Sequence, residues 1–456
     1  MYYDNLTLLT DLYELTMMQG YFKSGAKEKV VFDLFYRKNP SGSAYAICCG
    51  LDQAIDYIKN LHFTEADLDY LKSTGFFQDD FLDYLKNFRF SGDICAIPEG
   101  TIVFPKEPLL KVKAPIIEAQ LVETALLNII NHQSLIATKA ARVVHEAGGG
   151  VMEFGLRRAQ GPDAGIYGAR AAVIAGCVGT SNVLAGQMFD IPVKGTHAHS
   201  WIMSFKTELE AFRTYAKYYP DNCLLLVDTY DTLQGVGHAI QVFKEMREAG
   251  VKSKLYGIRL DSGDLAYLTK KARVMLDEAG FPDAVISASS DLDEYLINSL
   301  MNQGAKITSW GVGTNLITSK DCPSFGGVYK LAGIIHEDGT VEPKIKADLI
   351  ALNDEVFSED DPMILFDPVA TWKRTYLPAG SYTIRELLIP VFKDGECVYE
   401  SPKVMEIRAY CDKEKDTLWD ESKRLVNPQE VYVDLSQKLW DLKNALLDGV
   451  HNFKDK

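Results

Sequence analysis

Between residues 151 and 314 the chain repeats one pattern seven times: a short apolar run, a cluster of glycine or polar residues, then a stretch with helical spacing. The apolar runs are VMEFG (151–155), CVGTS (177–181), IPVKGTH (191–197), CLLLVDTYD (223–231), KLYGIRLDSG (254–263), AVISASSD (284–291) and KITSWGVGT (306–314). Helical patterns such as ELEAFRTYAKYY, HAIQVFKEMREAG and LAYLTKKARVMLDEAG lie between them. Spacings of 14 to 32 residues leave room for the crossover helices that parallel strands demand. Continuous apolar strands in this number predict an irregular (β/α) barrel of about seven parallel strands rather than a doubly wound sheet.

A chain of 456 residues exceeds one small domain, and its flanks read differently from the repeat. The stretch TDLYELTMMQGYF (10–22) predicts a short helix, with Thr10 or Asp11 able to cap its first turn. Residues 30–125 mix strand pieces (VVFDLFYR, AYAICCG, LLKVKAP) with helical ones, the mark of an α+β domain, and a long helical pattern follows over 118–146. The segment 360–400 has strand character with a hairpin signal at Lys393-Asp394-Gly395, and a C-terminal helix closes the chain. The expected domains are therefore residues 1–135, residues 136–335 as the barrel, and residues 336–456 as a C-terminal extension.

A net charge of −15 argues against a nucleic-acid binder, whose surface needs a basic excess. An anionic substrate then requires a local basic pocket. The eight cysteines contain no C-x-x-C pair, which fits reduced thiols in a cytoplasmic protein. Met1 leads into YYDNLTLLTDLYE, without the basic start and apolar core of a signal peptide, and no stretch approaches the ~18 apolar residues of a membrane span.

In a parallel barrel the reacting groups sit where strands give way to loops. Phe154 offers a flat wall for an aromatic ring, and Arg157 or Arg158 a planar fork for carboxylate or phosphate. The segment Gly195–Ser200 carries two of only eight histidines, His197 and His199. An H-x-H without partnered cysteine or glutamate is weak evidence for zinc, so no residue is assigned as a metal ligand, and nucleophilic or acid–base work is the better reading. Spacing alone does not choose between the two imidazoles. Asp261 and Asp264, beside Arg259, suit ribose hydroxyls or Mg²⁺, or else neutralise the arginine and cap the helix that starts at Leu265. Gly311, Gly313 and Thr314, with Ser289 from the preceding strand end, suit a phosphate.

The motifs TDLYELTMMQGYF, EFGLRRAQGPDAGIYGARAA, GTSNVLAG, GTHAHSW, LVDTYDT, GIRLDSGDLAYL, WGVGTNLITS and GGVYKLAGI closely resemble the nicotinate phosphoribosyltransferase family, in the family's order from residue 7 to about 450. The resemblance implies that nicotinate displaces pyrophosphate from phosphoribosyl pyrophosphate, in the presence of Mg²⁺, as a step of NAD salvage. It implies that ATP phosphorylates His199, the second histidine of G-T-x-A-H, and that Asp261 binds the ribose. Tyr13 and Phe154 are implied as the two walls around the pyridine, with the Tyr13 helix reaching a neighbouring subunit's site in a homodimer. Arg157, Thr196 and Arg259 fall near the nicotinate carboxylate and substrate phosphate, and Ser289, Gly311, Gly313 and Thr314 on the phosphate cradle.

A related family that uses nicotinamide places an aspartate where this chain has Ser181, and an aspartate there would repel a carboxylate substrate. One departure concerns the chain after EPKIK, where the family continues with a lysine-containing stretch ending in a P-G-K-like turn. Here Lys346 passes directly to ADLIALNDE, which bears on ATP coupling rather than on transfer.

Overall fold

The computed structural model describes residues 5–344, 385–431, 433, 435 and 437–454. The junction after Lys346 and the strand character expected before residue 385 lie outside the described residues. The described residues form two compact units, one drawn from Met1–Leu135, Ser324–Pro402 and Lys413–Lys456, the other from Ile136–Pro323 and Lys403–Asp412.

The first unit is built on a seven-stranded antiparallel sheet in which Lys29–Tyr36 is an interior strand. Gly327–Ile335 pairs with one edge of that strand and Leu110–Pro115 with the other. All residues of this strand after Lys29 are buried, which is why VVFDLFY, Asp33 excepted, runs apolar without alternation. Phe32 stacks on Tyr329 with ring centroids 4.5 Å apart, and the Tyr329 hydroxyl donates to the Ala119 carbonyl at 2.8 Å. Full burial of such a ring is worth about 1.5–3 kcal/mol, so the core rather than the ladder dominates here. The hairpin signal is borne out: Ile389–Lys393 pairs with Glu396–Cys397 through Asp394 and Gly395, both at positive φ.

Helix Leu12–Ser24 follows Asp11, whose side chain does not cap it as the sequence predicts. The Asp11 carboxylate instead accepts from the Thr124 hydroxyl at 3.2 Å. The helix ends at Gly25, in the left-handed region that glycine alone enters freely. Leu15 and Met18 are buried, while Leu9, Leu12, Tyr13 and Met17 stay exposed.

In the second unit six parallel strands curl into a half-barrel, ordered Gly179–Thr180, Val151–Glu153, Ser309–Val312, Val285–Ala288, Tyr256–Leu260 and Cys223–Leu226. Each coincides with a run read from the sequence. The seventh run, 191–197, does not become a full strand and makes one parallel bridge, Val193 to Thr180. Pro192 has no N–H to give, and only its carbonyl and the Lys194 N–H reach Thr180, at 3.0 and 2.8 Å.

The crossover helices begin on side-chain caps: Asn182 accepts from Ala185 N–H at 3.1 Å, Asp231 from Gln234 at 2.8 Å and Asp293 from Leu296 at 2.7 Å. Asp264 joins them, accepting from Tyr267 N–H at 3.0 Å, so its capping alternative is the one realised. Gly235 is obligatory, since a Cβ there would lie 2.1 Å from the Val227 carbonyl oxygen. No helix among the described residues is long and apolar enough to cross a membrane.

Candidate active site

Arg259 projects from the strand Tyr256–Leu260 and is the hub of the half-barrel's carboxyl rim. Its Nε donates to Ser289 Oγ at 2.8 Å, its Nη1 to Thr196 Oγ1 at 2.8 Å and to the His197 carbonyl at 3.4 Å, and its Nη2 to Asp261 Oδ1 at 2.9 Å. The Ser289 hydroxyl closes the ring by donating to Asp261 Oδ1. Two strand ends and the segment 191–197 are thereby tied to one guanidinium, a planar fork that lysine cannot imitate.

Burial pushes the Asp261 carboxyl up, but the Ser289 hydrogen bond and the Arg259 charge act against it and leave it below its usual value. Asp261 is therefore a fixed anion at neutral pH. Its backbone N–H donates to Asp228 Oδ2 at 2.8 Å, and the Ser262 hydroxyl donates to the same oxygen at 2.6 Å. His199 begins a short helix, His199–Met203, with Nδ1 3.1 Å from Thr229 Oγ1 and Nε2 3.8 Å from Asp261 Oδ2. Its side chain is 38% exposed, so the imidazole is held in place yet open to an incoming group.

A second group of residues forms around Phe154. A Cβ on Gly311 would lie 2.6 Å from the Phe154 ring and 3.4 Å from Ser289 Cβ, so only glycine lets the ring lie flat on that strand. Gly313 runs beside the Phe154 carbonyl and leads into the turn Thr314–Ile317. Glu153, fully buried, accepts from Thr180 Oγ1 at 2.6 Å and from the Gly155 N–H, and its carbonyl accepts from Ser181 N–H at 3.0 Å. Burial raises the Glu153 pKa and the two hydrogen bonds oppose that rise. Its role is to fix the Phe154–Gly155 and Thr180–Ser181 ends against each other.

Thr196, Arg259, Asp261 and Ser289 thus form one hydrogen-bonded cluster with His199 3.8 Å from Asp261, and Phe154, Gly311 and Gly313 pack together beside Ser289. Thr314 and Ser181 are half-buried past the ends of the two strands that flank Val151–Glu153, and Arg157 stands exposed in the turn Leu156–Arg158. Tyr13 belongs to the first unit, where it is 47% exposed on its helix. Sequence reasoning passed over Glu153 and gave Asp228 and Thr229, read as a polar strand end, no role of their own. A charged residue inside the buried run VMEFG is the signal that marks Glu153. Among the described residues no group of three or more His, Cys, Asp or Glu side chains stands ready for a metal.

A curled parallel sheet with an arginine, a fixed carboxylate, hydroxyls and an open imidazole at its carboxyl rim defines an α/β half-barrel enzyme built for an anionic, hydroxyl-bearing substrate. Models of the nicotinate phosphoribosyltransferase N-terminal domain, family and C-terminal domain match residues 8–131, 150–332 and 337–443. The chain is 44% identical to the nicotinate phosphoribosyltransferase of Bacillus subtilis, over 99% of this chain and 97% of that one. It is 30% identical to the human nicotinate phosphoribosyltransferase, over 97% of each. The crystal structure of human nicotinic acid phosphoribosyltransferase superposes with a TM-score of 0.77 at 27% identity, covering 96% of this chain and 99% of that one. The chain belongs to the nicotinate phosphoribosyltransferase family.

Proposed function

We propose that this enzyme joins nicotinate to phosphoribosyl pyrophosphate, releasing pyrophosphate and forming nicotinate mononucleotide for NAD biosynthesis, with ATP phosphorylating His199. The observation that carries the reading is the Arg259 hub with Asp261 and His199 beside it. The pyridine ring lies against Phe154, with its carboxylate and the substrate phosphate shared among Arg157, Thr196 and Arg259. Ser289, Gly311, Gly313 and Thr314 hold the sugar phosphate, and Asp261 takes the ribose hydroxyls. Loss of pyrophosphate leaves positive charge on the sugar ring, and a carboxylate kept ionised by Ser289 and Arg259 stabilises that charge without reorganising.

Phosphorylation at the imidazole adds about −1.5 to −2 charges. His199 Nε2 lies 3.8 Å from Asp261 Oδ2, so the new charge repels the Asp261 carboxylate and draws Arg259 toward itself. The two protein states then bind anionic substrates and products unequally, which is what coupling to ATP requires. Mg²⁺ would be held chiefly by the pyrophosphate, because this ion keeps water and substrate phosphates around it and asks few ligands of the protein. When bound, it offsets the charge of the leaving group.

The exposed row Leu9, Leu12, Tyr13 and Met17 supports a homodimer in which Tyr13 completes the neighbouring subunit's pyridine site. All eight cysteines are free, in keeping with a cytoplasmic enzyme. The deciding assay measures mononucleotide formed per ATP hydrolysed, together with acid-labile phosphate on the protein. The His199→Ala variant keeps weak, ATP-independent transfer and takes up no phosphate. Phosphate found on serine, or a variant as ATP-dependent as the parent, overturns the proposal.

A further inference from the structure

The strand Cys223–Leu226 is an edge of the half-barrel sheet, and the arrangement of its donors shows what is missing. The Cys223 and Val227 N–H groups donate to the Leu255 and Arg259 carbonyls at 2.9 and 3.1 Å, on the side of the neighbouring strand. By the alternation of a parallel ladder, the Leu226 N–H points the other way, where a closed barrel would supply a backbone carbonyl. The segment expected there, 191–197, supplies a side chain instead: the Leu226 N–H donates to His197 Nε2 at 3.3 Å. A second link crosses the same seam, from Asn222 Nδ2 to the Gly195 carbonyl at 3.2 Å.

We propose that His197 is a positioning residue whose imidazole replaces the absent rung and thereby sets where Thr196 and His199 stand relative to Arg259. The inference rests on the catalytic reading of that cluster. The same residue's carbonyl accepts from Arg259 Nη1, so one amino acid grips the edge strand with its ring and the hub with its backbone. The ring is buried and packs edge-on against Tyr215 at 4.6 Å. An acceptor Nε2 places the proton on Nδ1. Burial, then the charges of Arg259 and His199, push the pKa of the ring down to about 4, so this neutral form persists across the working range of pH. His197 and His199, two residues apart, thus divide the labour: one closes the seam and the other faces the substrate.

Glutamine and asparagine separate the idea from general packing. In H197Q the amide oxygen reaches the position of Nε2 and can accept from Leu226, whereas the shorter side chain of H197N cannot. Two readouts are taken on the full-length enzyme: hydrogen exchange of the peptide containing Leu226, and kcat and KM for both substrates. H197Q is expected to keep Leu226 protection and to hold kcat within about threefold of the parent. H197N is expected to exchange about tenfold faster and to lose kcat by about 10- to 100-fold with KM for nicotinate changed far less, since a displacement near 1 Å in a reacting group costs on that order. Equal kcat in the two variants overturns the proposal, as does unchanged exchange in H197N. If the parent makes no mononucleotide, the catalytic reading fails separately, and the exchange data alone decide whether His197 closes the seam.

Discussion

The second unit holds two ionic clusters, and they differ in one respect that matters. Glu294, at the start of helix Glu294–Asn302, is wholly buried and accepts from Lys139 Nζ at 2.9 Å and Arg142 Nε at 3.1 Å, while Lys139 also reaches Asp321 at 2.6 Å. The Arg259 cluster has the same chemistry, but its members lie at strand ends with side chains 15% and 34% exposed. Both are held by several charge-assisted hydrogen bonds, so charge does not tell them apart. Position and access to solvent do: the first cluster ties helices together, and the second can exchange its internal partners for those of a substrate.

Replacing the hub of each cluster sharpens the contrast. Arg259→Ala is expected to cut kcat/KM by about 10³–10⁴-fold, or about 4–5 kcal/mol of transition-state binding, while the protein stays folded because the site is open to water. Glu294→Ala is expected to do the opposite. It removes the carboxylate that Lys139 and Arg142 share, leaving Lys139 to Asp321, and costs about 3–4 kcal/mol of stability, read as a fall in the denaturant midpoint, while kcat of the folded fraction stays within about twofold. If Arg259→Ala mainly unfolds the protein, or Glu294→Ala mainly slows turnover, the division between structural and functional charge collapses.

The same division explains what the sequence made legible. Six strands and their polar ends could be read because apolar runs and capping residues are local signals, and the residues now clustered on Arg259 were all visible as strand-end polar groups. The run 191–197 misled because a proline inside it denies a donor to the ladder, a fact that matters only once a neighbour is known. Glu153, and the role of Asp228, escaped for a related reason. Their partners, Thr180 for one and the backbone of Asp261 for the other, come from 27 and 33 residues away, and no local pattern announces a carboxylate that serves another strand's loop. Glu294 and Lys139, 155 residues apart, left no trace at all.

A buried carboxylate without cations offers a third point on the scale. In the first unit Glu107 is buried and accepts from the Phe104 N–H at 2.8 Å, and burial pushes its pKa up to about 8 despite that bond. The folded pKa lies above the unfolded value of 4.5, so the folded chain holds a proton that the unfolded chain has released. The group's stabilising contribution is therefore complete below about pH 4.5, declines as pH rises toward 8 and is flat beyond. The Glu107→Gln variant should lose this slope and gain about 4 kcal/mol over the parent between pH 5 and pH 9. Parallel stability curves for the two proteins across that range would place Glu107 with the paired carboxylates instead.

The smallest expected effect tests whether a charge added at the rim acts on the substrate and spares the fold. Ser181 is half-buried just past the strand Gly179–Thr180, its N–H fixed on the carbonyl of Glu153, one residue before the Phe154 wall. A carboxylate introduced there by Ser181→Asp is close enough to a bound pyridine carboxylate to repel it by about 1–2 kcal/mol through partly solvated protein. Nicotinate kcat/KM should fall about 10- to 30-fold while nicotinamide, uncharged, loses nothing to repulsion and gains an acceptor for its amide. The gap between the two substrates should shrink as salt is raised, because a half-exposed charge is screened. Stability should stay within about 0.5 kcal/mol of the parent, as for most changes at solvent-facing positions. Competition of the two pyridines in one assay reads the ratio directly, and a parent enzyme that prefers the amide, or a variant that handles nicotinate unchanged, would show that the discriminating charge lies elsewhere on the rim.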